Sequence, residues 1–173
     1  MEFEVVDLPA LSPPAVDQQA PDFERPLVNA EYWEDAALSE LTAEGPVLLV
    51  FHPMDGAFPA TYAWNELRDR GLEGRPAGGS ELQVVGVSIS SPYEHKSLIR
   101  ERGIDSRLFS DPTAGVAEQY GIDWEPDGMA GVREPVPAVF LVDGERVIRY
   151  AWTAEEWPEF PPYDEIEAAV DEL

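Results

Sequence analysis

The chain has no cysteine among its 173 residues, and that single absence excludes a great deal. It removes any disulfide, thiolate nucleophile, iron–sulfur cluster or Cys-ligated zinc site. Cations are also scarce, with 11 Lys plus Arg against 35 Asp plus Glu and a formal net charge of −24. Such a charge repels phosphate backbones, and no basic stripe runs against it, so nucleic acid is excluded as a partner. No apolar run approaches the roughly 18 residues of a membrane-spanning helix, so no membrane contact is expected. The opening MEFEVVDLPA has neither the basic stretch nor the apolar stretch of a secretory signal. The closing Val170, Asp171, Glu172 and Leu173 resemble a retention tail for the endoplasmic reticulum, and without a signal that likeness carries nothing. A cytoplasmic protein is expected.

What is present suits one globular domain, since apolar residues make up 44% of the chain. The acids are spread along the whole length, and only the stretch 155–173 is dense enough to count as an acidic segment. Two readings of the acidity stay open. A carboxylate-rich surface keeps a protein hydrated in a high-salt cytoplasm, and an acidic face docks a basic partner.

Residues 1–19 form a Pro-rich extended lead-in, with one strand expected around residues 3–6. The domain itself is expected over 20–173. Apolar spacing predicts a short helix or turn within 31–43. VLLVF at 47–51 is uniformly apolar, as a strand buried on both faces of a parallel sheet is. A helix is expected over 61–70, a second buried strand over 82–90, and a helix over 92–102 ended by Gly103. Asp111 and Pro112 predict the cap and first position of another helix running to Tyr120. AVFLVD at 138–143 and residues 146–152 form a β-hairpin, and a last helix spans 163–173. This order describes an α/β protein with a central mixed β-sheet and helices on both faces.

Four collinear segments give the pattern a family. Ala20, Pro21, Asp22 and Phe23 followed by Leu27, then VVGVSISSPYEHKSLIRERGI at 84–104, LFSDPTAGVAEQYGI at 108–122, and PAVFLVDGERVIRY at 137–150 resemble successive motifs of the peroxiredoxins. These form the alkyl hydroperoxide reductase/thiol-specific antioxidant family of redoxins, which has a thioredoxin-like fold. The resemblance implies a thiol peroxidase, yet the family pattern F-x-P-x-x-x-T-x-x-C-x-x-E falls on FHPMDGAFPATYA at 51–63. Pro53 is kept. Ala57 stands at the threonine position, Ala60 at the peroxidatic cysteine and Ala63 at the acid. Pro137 occupies the place of the family arginine. A peroxidatic cysteine attacks as a thiolate, while the arginine and threonine stabilise it and align the peroxide. All three groups are missing, so no thiol cycle is expected and no catalytic residue is intact.

Pro137 either begins a strand, in cis or trans after Val136, or marks a peptide-docking edge of the thioredoxin kind. Arg133, four residues upstream, is a candidate substitute for the lost charge. His52 reads as an aromatic replacement packed near the pocket mouth, or with Asp55 as a base or metal ligand. His95 reads as structural or solvated. Two histidines on separate elements lack metal-ligand spacing, so neither a metal nor another cofactor is expected. Phe58, Tyr62 and Trp64 surround the former cysteine turn, and Trp152, Trp157, Phe160 and Tyr163 crowd the C-terminal part. Three readings fit: a non-catalytic binding protein, acting as a homodimer or on a protein partner; an enzyme with a replaced, non-thiol mechanism using His52 and Asp55 or a metal; and a retained structural domain with no specific ligand.

Overall fold

Val47–Phe51 has no polar face, so it must be covered on both sides. In the computed structural model, which describes residues 4–173, it lies inside a seven-stranded sheet. The strands are β1 (Glu24–Val28), β2 (Trp33–Ala37), β3 (Val47–Phe51), β4 (Gln83–Ser88), β5 (Arg107–Ser110), β6 (Ala138–Val142) and β7 (Ile148–Thr153). Their order across the sheet is β7-β6-β3-β4-β5-β1-β2. Strands β3, β4 and β5 run parallel and every other neighbouring pair is antiparallel. The expected mixed sheet is therefore present.

Side chains alternate across β3, sending Leu49 and Phe51 to one face and Leu48 and Val50 to the other. The first face is covered by α1 (Leu38–Thr42) and α4 (Gly115–Gln119) through Leu38, Leu41, Val116 and Ala117. The second is covered by α2 (Phe58–Asp69), α3 (Pro92–Arg102) and α5 (Tyr163–Asp171) through Trp64, Leu67, Leu98, Ile99, Ile166 and Val170. None of the described helices is long and apolar enough to cross a membrane.

Local sequence explains most boundaries. The Ser91 hydroxyl accepts the Glu94 N–H and the Glu94 carboxylate accepts the Ser91 N–H, which starts α3 where expected. Gly103 ends it at φ 60. Three boundaries differ from expectation. The short helix within 31–43 is present but confined to Leu38–Thr42, because residues 33–37 pair with β1 along five registers. Pairing at the sheet edge outweighs apolar spacing in so short a segment. The helix after Asp111 begins at Gly115, because Ala114 takes the left-handed conformation at φ 58. Asp111 nevertheless caps it, its Oδ2 accepting the Val116 and Ala117 N–H groups while Oδ1 accepts Arg25 Nε. Helix α2 starts earlier, at Phe58, with proline in its first turn.

The expected lead-in strand pairs Val6 and Asp7 with Trp157 and Glu156; Phe3 lies outside the described residues. Farther on, the lead-in crosses Gly121, whose carbonyl accepts the Ser12 N–H. A Cβ at Gly121 would collide with the Ser12 carbonyl, and φ there is +67, so glycine is required on both counts.

Gly86 in β4 has a different role. A Cβ there would lie 2.5 Å from both Leu108 Cδ2 and Trp64 Cζ2. The missing side chain lets the buried Trp64 ring lie against the sheet. Gly86→Ala is expected to lower unfolding stability by about 1–3 kcal/mol through overpacking, measured by urea denaturation; a neutral effect would show that Trp64 moves aside freely.

Candidate functional site

Strand β3 ends in the segment 52–57, which is held by buried polar groups. The His52 N–H donates to the Val87 carbonyl at 3.1 Å, continuing the sheet by one residue. Ser88 Oγ donates to the Pro53 carbonyl at 3.2 Å. The Asp55 N–H donates to Ser90 Oγ at 2.7 Å, and the Met54 N–H donates to Glu134 Oε2 at 3.1 Å. Ser110 Oγ donates to the Ser90 carbonyl at 2.6 Å, tying β5 into the same support.

His95, fully buried in the first turn of α3, is structural and not solvated. Its Nε2 is 3.0 Å from the Phe109 carbonyl and its Nδ1 is 2.8 Å from Asp55 Oδ2. A carbonyl only accepts, so Nε2 donates to Phe109, while Nδ1 faces the Asp55 carboxylate. His52 is 2% exposed, with its ring edge-on to Trp64 at 5.6 Å and 5.9 Å from His95. Its Nδ1 is 3.9 Å from Asp55 Oδ1, beyond hydrogen-bond reach. Both His52 nitrogens and Asp55 Oδ1 are buried without a hydrogen-bond partner among the described residues. Burial lowers the His52 pKa to about 4, against the opposing pull of Asp55. His52 is thus a neutral, packed ring at pH 7. Among the described residues no group of three or more His, Asp or Glu side chains is placed to hold a metal ion.

Beside segment 52–57 opens a cleft of about 560 Å³. Pro53, Met54, Asp55, Gly56 and Ala57 form one wall. Trp124, Pro126, Asp127, Met129 and Glu134 form the other, with Glu4, Val6 and Trp157 at the end. The second wall belongs to the connection 123–135, whose ends pair as a two-stranded ribbon, Trp124 opposite Glu134. Glu134 is 4% exposed. Burial raises its pKa and the Met54 N–H only partly offsets this.

The cleft gathers Pro53, Asp55 and Ala57 but leaves out His52, Ala60 and Pro137. Ala60 is fully buried in the first turn of α2. Pro137 is buried directly before β6, and its carbonyl accepts the Ala154 N–H. Its peptide bond is trans, since the only cis bond among the described residues is Trp157–Pro158. Arg133 does not reach the cleft: it is half exposed and bonds Asp123 through Nε at 2.8 Å and Nη2 at 2.7 Å. The two aromatic groups seen in the sequence meet, Phe58 lying 5.5 Å from Trp157 and 6.4 Å from Phe160. Sequence reading missed Trp124, Met129 and Glu134. The available signal was a tryptophan and a methionine in a connection otherwise full of Gly, Pro and acids.

The alkyl hydroperoxide reductase/thiol-specific antioxidant (AhpC/TSA) family model matches residues 16–151. The chain belongs to this family. Peroxiredoxin-4 of Dictyostelium discoideum is 27% identical over 157 residues. That match covers 86% of this AhpC/TSA chain and 56% of the relative, so the chain spans little more than half its length. Among solved structures, peroxidoxin BcpB from Mycobacterium tuberculosis superposes with a TM-score of 0.71 at 24% identity, covering 90% of this chain and 93% of that one. The thiol peroxidase from Chromobacterium violaceum gives 0.72 at 24%, covering 91% and 86%. The reduced 2-Cys peroxiredoxin of Plasmodium vivax gives 0.72 at 21%, covering 90% and 93%. These likenesses establish the thioredoxin-like peroxiredoxin fold, built here without a cysteine.

Two outcomes follow from the buried groups. Glu134 has a raised folded pKa, so its cost to stability enters as pH rises above the ordinary glutamate value of 4.5. Glu134→Gln retains an acceptor for Met54 and should raise stability at pH 7 by roughly 1 kcal/mol, with no gain well below that value; melting curves across pH test this. His52 has the opposite sign, because its folded pKa is depressed. Its contribution is whole above pH 6.5 and is lost as pH falls toward about 4. Acidification through that window should cost the wild type about 3 kcal/mol more than His52→Phe, read by denaturant titration at each pH.

Proposed function

We propose that this chain is a non-catalytic binding protein on the peroxiredoxin scaffold, active in the cytoplasm as a homodimer or on a protein partner. The observation that carries the reading is Ala60: a fully buried methyl group stands where the family nucleophile belongs, next to a cleft that stays open. Thiol peroxidase chemistry requires a thiolate and a cation to lower its pKa. This chain has no thiol, Ala57 and Pro137 offer neither hydroxyl nor charge, and Arg133 turns to Asp123. The buried carboxyl of Glu134 reverses the polarity the lost reaction needs.

A replaced mechanism through His52 and Asp55 is less well supported. His52 is a neutral ring closed off from the cleft, and a base must reach the proton it removes. The spread of acids over the sequence favours a surface adapted to a high-salt interior over a local docking patch.

Peroxide consumption with a dithiol reductant is expected to stay at the uncatalysed rate, and measurable turnover would overturn the reading. The variant Ala60→Cys, Ala57→Thr, Pro137→Arg is expected to fold and remain inactive, because its thiol would be buried and Glu134 would still oppose a thiolate. Circular dichroism and thiol titration, native and unfolded, separate a buried thiol from a misfolded chain.

A further inference from the structure

We infer that the cleft between segment 52–57 and the connection 123–135 is a binding site for a small organic cation, an ammonium or guanidinium group on an apolar body. The inference rests on the binding reading above and names the ligand class for the same cleft. Its volume of about 560 Å³ falls within the range of small-molecule sites.

Three observations converge on a cation. The lining includes the acidic residues Glu4, Asp127 and Glu134 and no Lys or Arg; Asp55 also lines it, but its carboxylate turns to His95. Glu134 is 96% buried, being 4% exposed, and among the described residues only its Oε2 has a hydrogen-bond partner, the Met54 N–H. No Lys, Arg or His bonds its other oxygen among the described residues, although Arg133 is its chain neighbour. A buried carboxylate without a counter-charge is costly, and a ligand cation relieves that cost. The second observation is aromatic: Trp124 and Trp157 both line the cleft, and an indole is the strongest cation–π partner among side chains. The third is the apolar remainder, in which Pro53, Met54 and Met129 suit alkyl or aryl groups.

Other ligand classes fit less well. Carboxylates and phosphates meet acidic residues and no Lys or Arg. A hydrated inorganic ion gains nothing from the tryptophans, and among the described residues no group of three or more His, Asp or Glu side chains is placed to coordinate it. A neutral apolar molecule leaves Glu134 without a counter-charge.

The experiment is calorimetric titration of the full chain with benzyltrimethylammonium, benzyl alcohol and benzoate, repeated in about 1 M KCl to screen attraction to the acidic surface at large. The expected result is saturable 1:1 binding of the ammonium in high salt, about tenfold or more tighter than the alcohol, with no binding of benzoate. Glu134→Gln should weaken the ammonium about tenfold while leaving the alcohol unchanged. Trp124→Ala should weaken it by a similar factor, with both variants' melting curves showing that the fold is retained. Equal affinity for ammonium and alcohol, preference for benzoate, or undiminished affinity in Glu134→Gln overturns the inference. Binding of the alcohol or benzoate alone overturns it while leaving the binding reading in place. No binding of any probe overturns it as well, and the binding reading is then decided by the peroxide assay on the same sample.

Discussion

One strand with two faces to bury sets the terms for the whole molecule. Val47–Phe51 is fully apolar and nowhere more than 1% exposed, which demands helices on both sides and strands on both edges. Its neighbours supply these: a parallel partner on one side, an antiparallel one on the other. The chain leaves the sheet after His52, and the segment 53–57 that follows forms one wall of the cleft. Binding residues collect at such strand ends because a rigid frame fixes where the backbone emerges. The cleft is thus positioned by packing far from it.

Charge imposes a second constraint. With ten arginines and one lysine against 35 acids, each cation matters for holding elements together. Arg25 bonds the Asp111 that caps α4. Arg70 bonds Asp164 and Glu167, and Arg75 bonds Asp171, so two arginines dock the acidic helix α5. Arg149 braces Asp143 at the hairpin turn. Arg133 bonds Asp123 and closes its ribbon from outside. None of these cations lines the cleft.

Much of this frame was legible in the sequence because it rests on local, periodic signals. Uniformly apolar runs mark the central strands, and the Ser91–Glu94 pair with Gly103 fixes α3 at both ends. The errors fall where distant contacts decide. Residues 33–37 become a strand only because β1 lies beside them, and Ala114 delays α4 by a backbone conformation that spacing does not encode. At the site, absence was easier to read than presence. The absence of cysteine is plain from composition alone. Glu134 looks like any other of the many acids until the fold buries it, and His95 looks ordinary until Asp55 arrives from 40 residues away.

The lead-in has an effect beyond packing. Strand β7 is the last in the sheet order, and an uncovered last strand is a template on which another chain can add its own backbone. Here Asp17 and Gln18 exchange hydrogen bonds with Ile148, and Ala20 bonds Arg146. The first segment of the chain thereby occupies the start of that ladder, some 130 residues away in sequence. The lead-in takes up backbone groups at Ile148 that an added strand would otherwise pair with.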